Sequence, residues 1–212
     1  MEQVKSILIV FILIALINGC HKNPVTAQET NTDLVPLSIG NTWSVCYTEY
    51  DTNGVVVGTP RSTTDTYTIS KDTTILGKVL YKYFNLWCIN SDSGLVKYNT
   101  TVTNGVVKNS FKYIYPYPTQ KGNVYDNNDI VVTAIDTGIT VPAGTVQCIE
   151  YKFYDSGVLA YQDYVSRGIG LVKEEMFNLA KPAKVQVVLE LTSYKINAPQ
   201  PGASRRDPFG TS

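Results

Sequence analysis

The chain has 212 residues, 43% of them hydrophobic and only 17% charged, which is ample for one domain with a packed core. Its 18 Lys plus Arg balance 18 Asp plus Glu without a basic run, so the electrostatic footprint of a nucleic-acid-binding protein is missing. The single histidine, His21, lies near the N-terminus, which excludes Ser-His-Asp or Cys-His catalysis and a multi-histidine metal site in the domain.

The chain opens with Met1–Ser6, mostly polar with one lysine, Lys5, followed by an unbroken apolar run from Ile7 to Ile17. Such a run is too short for a stable membrane span and matches a signal-peptide core, typically about 7–15 residues. It ends in Leu16-Ile17-Asn18-Gly19-Cys20. An aliphatic residue three before a cysteine and a small one just before it resemble a bacterial lipobox, from which only Asn18 departs. The resemblance implies cleavage before Cys20 and acylation of that cysteine by a diacylglyceryl thioether and an N-acyl chain such as palmitate. Several buried chains anchor durably where one binds only marginally. His21 rather than Asp follows the cysteine, which by likeness to enterobacterial lipoproteins implies the outer membrane of the cell envelope. The expected organisation is a leader over 1–19, a lipidated cysteine and flexible tether over 20–33, a β domain over 34–196 and a disordered tail over 197–212. Cys46, Cys88 and Cys148 remain, an odd number, and their spacing does not choose between one disulfide and three buried thiols.

Abundant tyrosine, 15 residues, with many Val and Thr, is a strand composition. Gly40-Asn41 predicts a turn before a strand with Trp43, Val45 and Tyr47 on one face, Trp43 being a core anchor. Asn53-Gly54 predicts a hairpin turn. Alternation continues through Thr64–Ser70, and Lys78–Asn90 reads as one long strand apolar on both faces, either central or lining a cleft. Leu95–Thr100 and Val106–Tyr117 flank an Asn104-Gly105 turn. The second of these places Phe111, Tyr113, Tyr115 and Tyr117 on one face before Pro118. Ile130–Ile135 reads as a short strand with a bend at Thr137-Gly138. From Thr140 to Glu175 the pattern is a twisted antiparallel meander, turning at Val141–Gly144, Asp155-Ser156-Gly157 and Gly168–Gly170. Lys184–Lys195 is the last strand. The predicted fold is therefore all-β, a single twisted antiparallel sheet or half-barrel of meander connectivity with little helix.

Candidate chemistry is sparse. Glu150, Asp163, Glu174 and Glu175 lie on neighbouring segments where a carboxylate pair can assemble, but their alternation equally fits a solvent-facing meander. Asp126-Asn127-Asn128-Asp129 offers oxygen ligands without the pattern of a calcium loop, and reads as a plain loop. No cofactor or metal is expected, and no enzymatic activity. The tyrosine ladder, Tyr113, Tyr115 and Tyr117, together with Tyr81, Tyr83 and Trp87, is the candidate ligand surface, with sheet core as the competing reading. Along the ladder, burial is expected to fall from Phe111 towards Tyr117.

Gly40-Asn41-Thr42-Trp43, Val141-Pro142-Ala143-Gly144-Thr145 and Gly168-Ile169-Gly170-Leu171-Val172-Lys173 together resemble uncharacterised lipoproteins of Bacteroidota-type bacteria. Some of these are similar to LolA/LppX-like half-barrels, in which a curved sheet encloses an apolar concavity. The resemblance implies a non-enzymatic envelope lipoprotein that binds an apolar or amphipathic ligand or an envelope component. A surface carbohydrate-binding module and a structural envelope protein without a small ligand are the alternatives. The expected partners are the membrane, through the N-terminal anchor, and a lipid or glycan, with no nucleic acid.

Overall fold

The structure, a computed structural model, describes residues 33–181 and 184–197. The leader, Cys20 and the tether up to residue 32, and the tail from residue 198 onward, lie outside the described residues. In chain order the strands are β1 (Thr42–Tyr50), β2 (Val56–Val57), β3 (Thr63–Thr68), β4 (Asp72–Ile75), β5 (Lys78–Tyr83), β6 (Leu86–Ser91) and β7 (Gly94–Thr103). They continue with β8 (Val106–Pro116), β9 (Val124–Tyr125), β10 (Ile130–Val141), β11 (Gly144–Asp155), β12 (Val158–Ser166), β13 (Gly170–Phe177) and β14 (Val185–Lys195). Among the described residues the only helical element is a single 3-10 turn, Asp126–Asn128.

All pairings are antiparallel, and neighbours along the chain are mostly neighbours in a sheet, so the all-β meander expectation holds. The single sheet does not. The strands divide into a sheet of nine, ordered β2-β1-β14-β13-β12-β11-β10-β9 with β3 also on β1, and a sheet of five, β4 to β8 in sequence. Neither closes into a barrel. The physical reason lies in β5 to β8, whose apolar side chains need a second layer to cover them. Leu80, Tyr83, Cys88, Leu95, Val96 and Tyr115 of the smaller sheet are buried. Together with Trp43, Val45, Tyr151, Val165, Leu171 and Leu191 of the larger one, most of them form a common core.

Three tyrosine hydroxyls cross between the layers. Tyr83 Oη of β5 accepts from the Leu171 N–H of β13 at 2.9 Å. Tyr115 Oη of β8 donates to Asp163 Oδ2 of β12 at 2.8 Å, and Tyr151 Oη of β11 donates to the Pro116 carbonyl at 2.8 Å. Trp43 is the expected anchor: fully buried, it donates its indole N–H to the Ile169 carbonyl and meets Tyr83 edge-on at 5.1 Å. Two glycines make these approaches possible. A Cβ on Gly94 (φ +116°) would sit 2.1 Å from the Tyr115 carbonyl oxygen, and one on Gly170 (φ +95°) would sit 2.7 Å from Tyr83 Oη.

Three local readings are corrected. Lys78–Asn90 is not one strand but the β5–β6 hairpin, turning at Phe84 (φ +43°) and Asn85 (φ +65°), the two positive φ angles of a tight twisted turn. The bend at Thr137-Gly138 does not end a strand, because β10 runs on to Val141 through register shifts around Ala134, with Asp136 at φ +56°. The tyrosine ladder is interrupted: Leu95 pairs with Tyr115 and Val96 with Tyr113, leaving Ile114 as an extra residue that breaks the alternation. The three cysteines are free and buried, and burial pushes the Cys88 and Cys148 thiols up to about 12, far from thiolate reactivity.

Candidate functional site

Two clefts of useful size differ in what their polar groups lack. The first, about 460 Å³, is lined by Thr48, Arg61, Lys173, Glu175 and Glu190. Its charges are already matched. Arg61 donates to Glu190 from Nε and Nη2, at 2.7 and 2.9 Å, and Lys173 lies 2.6 Å from Glu175. The second, about 390 Å³, opens between the two sheets. Tyr47 (β1), Tyr67 (β3), Tyr83 (β5) and Phe84 line it on one side, with Ile114, Tyr115, Phe153 and Met176 elsewhere around it. Two carboxyl residues, Asp163 and Glu174, line it as well, and Lys97 contributes the one basic side chain.

The aromatic wall is built from the hairpin turn upward. Phe84 sits at the turn in a backbone region that a bulky residue rarely occupies. The position stacks its ring on Tyr67 at 4.2 Å and sets it edge-on to Tyr83 at 4.7 Å. Tyr67 in turn shares a 2.7 Å hydroxyl contact with Tyr47. Burial and that contact push the Tyr47 hydroxyl well above its usual range, so it stays protonated.

The carboxyl pair comes from register. Asp163 of β12 stands directly opposite Glu174 of β13, so both side chains leave the same face of the larger sheet, towards the smaller one. Asp163 is only 4% exposed, and Tyr115 satisfies one of its oxygens. The other, Oδ1, is the one buried side-chain polar atom among the described residues without a hydrogen-bond partner. Burial, then the charge of Glu174, pushes the Asp163 carboxyl well above the usual carboxylate range. Burial raises Glu174 too. Two desolvated carboxyls side by side cannot both ionise cheaply, so the pair holds a proton that either would lose in water. No ion pair joins Lys97 to either carboxyl among the described residues.

Of the six aromatic residues singled out from the sequence, Tyr83 and Tyr115 enter this cleft. Tyr113 is half-buried against Tyr125, and Tyr117 packs beneath Arg167, whose guanidinium lies 5.5 Å from its ring. Tyr81 is half-buried on β5, and Trp87 lies under Lys71 at 6.0 Å. Burial along β8 rises to Tyr115 rather than falling from Phe111, because the far half of the β7–β8 hairpin is exposed on both strands. Phe111 is half-buried there, with its ring edge-on to Tyr98 at 5.9 Å. The solvent-facing reading of the four carboxylates is corrected for Asp163 and Glu174, which turn inward; Glu150 and Glu175 are half-buried and pair with Lys152 and Lys173. Sequence reasoning missed Tyr47, Tyr67, Phe84 and Phe153 as lining one cleft. Asp126 and Asn127 form the 3-10 turn, and among the described residues no three His, Cys, Asp or Glu side chains gather in a metal-ligating group.

No family profile matches the chain, and no curated protein does. Two solved structures resemble the chain distantly. One is a protein provisionally described as a lipoprotein, from Parabacteroides distasonis, 17% identical, covering 77% of this chain and 99% of its own, with a TM-score of 0.44. The other, from Bacteroides fragilis, is provisionally described as an exported protein with a YmcC-like fold; it is 12% identical, covers 76% of this chain and 98% of its own, and has a TM-score of 0.39. At that level of similarity neither assigns a role to any residue of this chain.

Proposed function

We propose that this chain is a non-enzymatic, extracytoplasmic lipoprotein, anchored in the bacterial cell envelope through Cys20, that binds a small amphipathic ligand between its two sheets. The anchoring half rests on the apolar run from Ile7 to Ile17 and the lipobox-like Ile17-Asn18-Gly19-Cys20. The binding half rests on one observation above all: an aromatic cleft containing a buried carboxyl oxygen without a partner. Buried polar groups are nearly always satisfied, and the exceptions mark strain, function or a missing partner. A ligand with an apolar body and a polar end answers both features of the cleft, as small-molecule sites generally do. A flat sugar platform has less support, since Ile114 and the β8 burial pattern split the tyrosine ladder.

Native mass spectrometry of the chain taken from its own membranes tests both halves. The expected spectrum shows a chain cleaved before Cys20 with acyl mass on that residue, and an additional small molecule that leaves on activation. An unacylated chain would overturn the anchor, and a chain always free of small molecules would overturn the ligand.

A further inference from the structure

The cleft has a defined chemical polarity. Its walls are ring faces, from Tyr47, Tyr67, Phe84 and Phe153, and its polar end is the Asp163–Glu174 pair. Resting on the ligand-binding reading proposed above, we infer that the site selects ligands carrying a protonated amine, with the ammonium against the Asp163–Glu174 carboxyl pair and the apolar body among the rings.

Three features carry this. First, both carboxyls offer acceptors, and Asp163 Oδ1 receives no hydrogen bond from the protein. The proton that the pair shares is the one donor between them, and an ammonium, which donates three times, takes that proton's place. Second, the charge that a buried carboxyl pair would develop is not offset by the protein. The other ionisable groups lining the cleft are Tyr83 from β5, Tyr115 from β8, Lys97 from β7, and Tyr47, Tyr67 and Tyr161 from β1, β3 and β12. Burial holds Tyr83 and Tyr115 neutral, and among the described residues Lys97 makes no ion pair with either carboxyl. Third, aromatic faces attract cations and are indifferent or unfavourable to anions. Glu174, partly exposed, is the outer member of the pair and meets the ammonium first; Asp163 lies behind it, fixed by Tyr115. An amine bound there stabilises the ionised pair, so binding releases protons. Affinity therefore rises with pH as long as the free carboxyls remain protonated, since a simple amine stays charged up to about pH 10.

The test uses the full-length chain in lipid nanodiscs, with empty discs as the blank, and three probes of one skeleton: phenethylammonium, phenethyl alcohol and hydrocinnamate. Titration calorimetry should show the amine binding at least about tenfold more tightly than the alcohol, tightening from acid to neutral pH, while hydrocinnamate does not bind. Glu174→Gln should bring the amine down to the affinity of the alcohol. Alcohol and amine binding equally at every pH would overturn the amine inference and leave the cleft standing as a ligand site. Failure of all three probes would overturn both readings. If E174Q does not fold, the pH series on the native chain decides alone: a flat amine affinity contradicts the inference.

Discussion

Asp163 is where sequence and structure part most sharply. On β12 it occupies a place in an alternating strand that reads as wet, yet it is buried with one oxygen unpaired. Alternation tells which residues share a face; it does not tell whether water or a second sheet covers that face. The same ambiguity hid Glu174, while Trp43 was legible because a large apolar side chain has only one reasonable destination. Burying the pair has a consequence for stability. A carboxyl whose folded pKa lies above its unfolded value, about 3.9 for Asp and 4.3 for Glu, supports the fold below that unfolded value. Its contribution is lost as pH rises through the raised folded value. The wild-type thermal midpoint should therefore fall as pH rises from about 4, over the range in which Asp163 and Glu174 ionise. In Asp163→Asn, which carries no charge to bury, that decline should be shallower. Parallel melting curves for the two chains across this range would contradict the shared-proton description of the pair.

The meander from β11 to β14 was readable strand by strand, because its turns carry glycine or a short polar run, although the register shift in each of its pairings left no mark on the sequence. The β5–β6 hairpin was not. Its turn uses Phe84 at positive φ, where Gly, Asn or Asp is the usual signal, and only Asn85 hints at it. The strain at Phe84 is held in place by its rings on either side, Tyr67 and Tyr83. The Ile114 bulge was equally silent, since an extra residue in a strand leaves no mark on composition. The β7–β8 hairpin shows how uneven the consequences are along one element. Gly94→Ala at its base must displace the Tyr115 backbone and adopt φ +116°, and with it disturbs the tyrosine that holds Asp163. It should cost at least about 1–3 kcal/mol. Val102→Ser near the tip, where Val102 is 66% exposed, should change stability by no more than about 0.5 kcal/mol. Urea midpoints for the two variants test the contrast, and comparable losses would show that the tip is structural.

For the whole molecule, the arrangement of two sheets is what makes a cleft possible, and it is the part least accessible to sequence reasoning. The fold class follows from alternation and turn chemistry, but the cleft draws side chains from both sheets, and no local pattern links Tyr47 to Phe84 or Asp163 to Tyr115. Those contacts arise from the stacking of one meander on another. The sequence does offer a reporter for them. Of its two methionines, Met176 on β13 lines the cleft, whereas the proposed cleavage before Cys20 removes Met1. Labelling the acylated chain with methyl-13C methionine therefore places a single resolved signal inside the site. On titration with phenethylammonium the Met176 methyl resonance should move and saturate. A Met176 signal that does not respond at saturating probe would contradict the claim that the space between the sheets is a binding site.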